Sequence, residues 1–138
     1  MYSQLPPSPS RASMPPKDLG RWGEDTALAL LEQQGYSLLA RNWRPSPLAG
    51  QPPLRGELDL VMRDNHQAIV FIEVKTRAGT GYGHPFEAIT ARKSQKLRQL
   101  AYAWLAEHQV PYSSMRVDAI ALCGSPTRFV YEHRQAVV

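Results

Sequence analysis

The segment Gly56-Glu57-Leu58-Asp59-Leu60-Val61-Met62, a polar break over Arg63 to Gln67, and the run Ala68-Ile69-Val70-Phe71-Ile72-Glu73-Val74-Lys75-Thr76-Arg77 set the architecture of this chain. Two β-rich runs around a short loop containing Asp64 and Asn65 predict an antiparallel hairpin. Side chains alternate across a strand, which places Leu58, Leu60 and Met62 on one face of the first run and Glu57, Asp59 and Val61 on the other. In the second run Val70, Ile72 and Val74 share a face, and Ile69, Phe71, Glu73, Lys75 and Arg77 share the opposite one. If the loop holds an odd number of residues, Asp59 and Glu73 fall on the same face of strands roughly 5 Å apart, and Lys75 follows about 6.6 Å further along.

Two carboxylates and an amine on one patch offer hard oxygen ligands to Mg²⁺ or Mn²⁺ while leaving positions for water and phosphate oxygens. Such a cation acidifies water and neutralises charge on a phosphodiester. A lysine beside it can deprotonate the attacking water or stabilise the developing charge. The plainer alternative is a structural salt bridge between Glu73 and Lys75 at the end of an exposed strand. Asp59 on the neighbouring strand favours the functional reading.

At 138 residues, 43% hydrophobic and 20% charged, the chain fits one soluble globular domain with a real core. No stretch is long enough to span a bilayer, and no secretory signal pattern is present, so a cytoplasmic protein is expected. The single cysteine, Cys123, excludes an internal disulfide and lies beside an apolar run, as a small buried residue would. A net charge of +4 and a pI near 9.5 admit a polyanionic partner.

Residues 1–17, rich in proline and serine, cannot offset the entropy of ordering and are expected to form a disordered tail, with Met14 an alternative start; residues 18–138 form the domain. Asp18 is the expected N-cap of a helix running to Glu32 and ending at Gly35. Glu24 shares a helical face with Ala27, Leu28 and Leu31, so it either joins a site or lies at the rim of that face and points to solvent. Gly20 and Gly23 would admit close approach of another backbone or a ligand. Tyr36 to Arg44 reads as a strand near an edge, and the proline-rich segment from Pro45 to Pro53 as a loop flanked by Arg44 and Arg55. The glycine loop from Gly79 to Pro85 lacks the ending of a phosphate-binding P-loop and serves either as a connection or as a flap over substrate.

Thr90 caps the second expected helix, whose stripe of Leu97, Leu100, Ala101, Trp104 and Leu105 is core. Arg92, Lys93, Lys96 and Arg98 crowd its first two turns, either as an electrostatic footprint for phosphates or as a solvated face. Met115 to Leu122 reads as a buried strand and Arg128 to His133 as the last one. The four histidines show no paired zinc spacing.

The order of a helix with Glu24, a strand with Asp59, a strand with Glu73-x-Lys75, then a helix and a further strand resembles the PD-(D/E)xK, or restriction-endonuclease-like, superfamily. It is most similar to the YraN family of predicted endonucleases, itself similar to archaeal Holliday junction resolvases. Gly20-x-x-Gly23-Glu24, Gly56-Glu57-Leu58-Asp59-Leu60, Phe71 to Arg77 and Arg116-Val117-Asp118 carry the match, across about residues 18 to 133. The resemblance implies a three-layer α/β fold with a central mixed β-sheet flanked by helices. It implies Asp59 and Glu73 as metal ligands, Lys75 as the catalytic lysine, and Glu24 as a further acidic member. The loop from Pro45 to Arg55 is longer than the family pattern leads one to expect.

The expected activity is Mg²⁺- or Mn²⁺-dependent endonucleolytic hydrolysis of branched or otherwise structured DNA, with Arg77, Arg92, Lys93 and Lys96 binding nucleic acid. The alternative is a non-catalytic nucleic-acid-binding or partner-binding module on the same fold. A symmetric cut across a junction would favour a homodimer, although no stretch of the sequence demands one.

Overall fold

The structure, a computed structural model, describes residues 14–78, 90–111 and 115–138. Helix α1 (Pro16–Gln33) leads into strands β1 (Ser37–Trp43), β2 (Leu58–Arg63) and β3 (Ile69–Arg77), then helix α2 (Ala91–Glu107) and strands β4 (Met115–Ser125) and β5 (Arg128–Arg134). The β2–β3 loop holds five residues, Asp64 to Ala68, the odd number that the parity argument requires. Asp64 organises this turn by accepting from the backbone N–H groups of His66 and Ala68, at 2.8 and 2.9 Å.

The strands form one sheet in the order β1-β2-β3-β4-β5, antiparallel throughout except between β3 and β4. That parallel pair needs a crossover, which α2 supplies. Alternation along β2 and β3 then divides the core. Leu60, Met62, Val70 and Ile72 pack with Ala27 and Leu31 of α1. Val61, Ile69 and Phe71 pack with Leu97, Leu100, Ala101, Trp104 and Leu105 of α2. The result is the expected three-layer α/β arrangement, a mixed sheet between helices.

Four sequence expectations change in detail. Helix α1 starts at Pro16, two residues before the expected cap Asp18 and inside the segment assigned to the tail. Proline suits a first helical position because its fixed φ is helical and its missing N–H has no partner to lose; Asp18 instead sits in the first turn, where a carboxylate favours the helix dipole. Leu58 packs with the α2 cluster rather than with Leu60 and Met62. The chain enters β2 through Gly56 at φ 131°, where an added Cβ would sit 3.0 Å from Leu100. Gly20 meets open space, and only Gly23 receives a close neighbour. Cys123 is half-buried. The glycine loop from Gly79 to Pro85 lies outside the described residues.

Ser46 donates through its backbone N–H and its hydroxyl to Glu107, at 3.1 and 3.0 Å, which ties the proline-rich loop to the C-terminal end of α2. This contact is far along α2 from Lys93. No described helix is long and apolar enough to cross a membrane.

Candidate metal centre

Strands β2 and β3 stay paired from Arg63↔Ile69 to Leu60↔Ile72. One residue beyond the last pair, Asp59 Oδ2 accepts a hydrogen bond from the backbone N–H of Val74 at 2.8 Å. A side chain thus satisfies a strand amide where the ladder has ended. Burial, and then the neighbouring Glu73 carboxylate, push the Asp59 pKa up to about 7; the Val74 N–H works against the rise, and Glu24 and Glu57 add to it.

Glu24 reaches this point from α1. Its helix can approach because Gly23 lies against β3: a Cβ there would clash with Thr76 Oγ1 and Cγ2. The Glu24 side chain is 19% exposed, so it neither points freely to solvent nor packs in the core. Glu24, Glu57 and Asp59 present ligand oxygens all within 4.8 Å of one another, a grouping that can hold a metal ion.

Two of these carboxylates share one clamp. Asn42 Nδ2 donates to Glu24 Oε1 at 2.9 Å and to Glu57 Oε1 at 3.0 Å. The Asn42 backbone is left-handed at φ 52°, a conformation that asparagine tolerates better than most residues. Arg44 Nε donates to Glu57 Oε2 at 3.0 Å, and an Arg41 nitrogen lies 3.5 Å from Glu24 and 2.6 Å from Asp25.

On the α2 side, Glu73 is joined by Lys93 rather than by Lys75: Lys93 Nζ lies 3.0 Å from Glu73 Oε1, with the two side chains 29% and 14% exposed. The salt bridge between Glu73 and Lys75, the plainer alternative to a functional site, is absent among the described residues. Lys75 shares a hydrogen bond with Lys93, and that bond, together with burial and the Lys93 charge, holds its amine below the usual lysine range. Burial opposes the charge on Lys93, yet its contacts with Lys75 and Glu73 keep its pKa above the usual range.

The structure therefore brings Glu24 and Asp59 together with Glu57 and leaves Glu73 outside that group, beside Asp59, with Lys75 next to Glu73 and Lys93. Lys93, expected at a phosphate-binding or solvated helix face, instead joins Glu73, while Arg77, Arg92 and Lys96 are exposed. Glu57 and Asn42 had no role assigned from the sequence. The alternation that places Glu57 with Asp59 could have flagged the first; nothing in the sequence announces the left-handed turn that aims Asn42. Arg116-Val117-Asp118 lies elsewhere: Arg116 joins Asp64 at 2.7 Å and Asp118 at 3.0 Å, and donates to Tyr36, while His133 lies 2.8 Å from Asp118. This set locks the sheet beside the β2–β3 turn.

The donors fit a hard divalent cation. All are carboxylate oxygens, and ligand oxygens about 2.0 to 2.6 Å from an ion stand on the order of 3 to 5 Å apart, comparable with the observed grouping. A cation would also relieve the like charges that raise Asp59.

The sequence profile of the uncharacterised protein family UPF0102 matches residues 23–122. The chain belongs to this family. UPF0102 is the YraN family that the motifs resemble, and its matched span contains Glu24, Asn42, Glu57, Asp59, Glu73, Lys75 and Lys93. A UPF0102 protein of Nocardia farcinica is 42% identical over 120 residues, covering 86% of this chain and 87% of its own. Another, from Acidothermus cellulolyticus, is 43% identical over 114 residues, covering 75% and 80%. A solved structure of SfsA from Pyrococcus furiosus in complex with Ca²⁺ aligns over 86% of this chain and 63% of that one, at 14% identity and a TM-score of 0.39.

Proposed function

We propose that this UPF0102 protein is a divalent-metal-dependent endonuclease that hydrolyses phosphodiesters in branched or structured DNA. The observation that supports this reading is the grouping of Glu24, Glu57 and Asp59 within reach of one ion, with Glu73 and Lys75 following on the neighbouring strand. Asp59 and Glu73, with Glu24 and Glu57 beside them, would hold Mg²⁺ or Mn²⁺. Bound there, the ion supplies Lewis acidity, acidifying water and neutralising charge on the phosphate under attack.

The chain's own residues do the rest. Lys75 exchanges a proton at Nζ with the attacking water; its lowered pKa leaves more of the amine neutral and able to accept one. The Val74 N–H holds Asp59 in one orientation, and Asn42 holds Glu24 and Glu57. Exposed Arg77, Arg92 and Lys96 offer charge to the backbone of a nucleic acid.

A second reading, a binding module that does not cut, draws support from the ion pairs already made by Glu57 with Arg44 and by Glu73 with Lys93. A labelled panel of linear, single-stranded, flap, fork and four-way-junction DNA, incubated with Mg²⁺ or Mn²⁺, separates the two. The nuclease reading expects cutting that Glu73→Ala and Lys75→Ala each abolish. Binding without cutting would select the module, and neither binding nor cutting would overturn both.

A further inference from the structure

Lys93 differs from the rest of the basic cluster at the start of α2. Arg92, Lys96 and Arg98 are exposed on the helix, whereas Lys93 is half-buried with its ammonium 3.0 Å from Glu73. Its place is fixed locally. Thr90 caps the helix by accepting from the Lys93 backbone N–H at 3.2 Å, so the first turn delivers this side chain beside β3. Glu73, in turn, lies outside the group of Glu24, Glu57 and Asp59 whose oxygens are close enough to share an ion. The carboxylate that the motif expects to share a cation with Asp59 is thus held by a cation of the protein's own.

We propose that Lys93 is a built-in counter-ion that competes with the divalent metal for Glu73, and so sets the metal concentration at which the centre loads. This rests on the reading of Asp59 and Glu73 as metal ligands. Two cations cannot both sit against one carboxylate oxygen without repulsion, so loading requires the Lys93 ammonium to give up Glu73. While the centre is empty the same contact neutralises Glu73 beside Asp59, which lets the fold keep two neighbouring carboxylates without a metal.

The test is calorimetric titration of the full chain with Mn²⁺, with no DNA present, on the wild type and on Lys93→Gln, Lys93→Arg and Arg92→Gln. Removing a charge from a partly exposed ion pair should tighten Mn²⁺ binding by Lys93→Gln about three- to tenfold. Lys93→Arg, which keeps the charge, and Arg92→Gln, which removes an exposed one from the same turn, should stay within about twofold of the wild type. Lys93→Met repeats the test if the glutamine variant folds poorly. Unchanged or weaker Mn²⁺ binding by the neutral variants, with a wild type that binds, would overturn the counter-ion role alone. A wild type that binds no Mn²⁺ would overturn the metal centre, and this inference with it. Equal tightening in Arg92→Gln would reduce the effect to general surface charge and overturn the specific role of Lys93.

Discussion

The Val74 backbone N–H donates to Asp59 Oδ2 at 2.8 Å, so the carboxylate that most needs a cation is anchored by an amide instead. No lysine or arginine pairs with Asp59 among the described residues, and Asp59 is the group whose pKa is raised to about 7.

That shift has a defined sign. Folded Asp59 keeps its proton up to about pH 7, whereas the unfolded chain loses it near its ordinary 3.8. The folded state therefore binds more protons in between, and this group's contribution to stability falls as pH rises from about 4 to 7 and stays low above that. In metal-free buffer at pH 8, Asp59→Asn, which keeps an oxygen for the Val74 N–H, should be more stable than wild type by about 2 kcal/mol, with the gap closing towards pH 4. Adding Mn²⁺ should reverse the order, since a ligand at a hundred times its Kd adds about 2.7 kcal/mol to the form that binds it. Urea unfolding at several pH values, with and without Mn²⁺, reads both effects.

Asn42 has two jobs that substitutions can separate. Asn42→Gly keeps the left-handed backbone and removes the amide; it should fold nearly as well as wild type but bind Mn²⁺ about tenfold more weakly, because Glu24 and Glu57 lose their common clamp. Asn42→Ala should lose the same affinity and about a further 1 kcal/mol of stability, from a Cβ at positive φ. Equal Mn²⁺ affinity in Asn42→Gly and wild type would remove Asn42 from the centre.

Gly23→Ala should destabilise by about 1 to 3 kcal/mol, since its Cβ would meet Thr76 Oγ1 and Cγ2. Thr76→Ala removes both of those atoms, so the double variant should recover part of the loss and show a clear coupling energy in a thermal-unfolding cycle. Mn²⁺ affinity should follow the same pattern, because residue 23 sets the distance of Glu24 from β3.

Arg116→Met should cost about 3 to 5 kcal/mol by leaving Asp118, fully buried, and Asp64, 5% exposed, without their cation. Burial works to raise the Asp64 pKa, but hydrogen bonds from Arg116 and from the Ala68 and His66 backbone hold it below the usual range. Its stabilisation is accordingly present above about pH 4 and lost as pH falls further. The variant should show a flatter acid limb in denaturation, at intact metal affinity.

The hairpin was readable because strand alternation and an odd loop are local rules, and they brought Asp59 and Glu73 together before any tertiary contact was known. The core stripe of α2 and its Thr90 cap were readable for the same reason. Three features were not. The turn of Leu58 towards α2 breaks the alternation with Leu60 and Met62 and shows only in its packing with the distant α2 cluster. The role of Asn42 depends on an unusual backbone angle, and that of Lys93 on how α2 rotates over β3. Basic residues at a helix start look alike in sequence; only packing turns one of them inward.

The Arg116 set gives the sheet two unlike ends. Beside the β2–β3 turn, opposite charges are matched and enclosed; where β2 and β3 part, the Val74 N–H is held by a side chain in place of a β2 backbone carbonyl. Local opening should therefore begin at the parted end, and hydrogen exchange at Val74 should outrun exchange along the paired residues from Ile69 to Ile72. Binding a cation would reverse that order of fraying, so the amide of Val74 serves as a built-in reporter of whether the centre is filled.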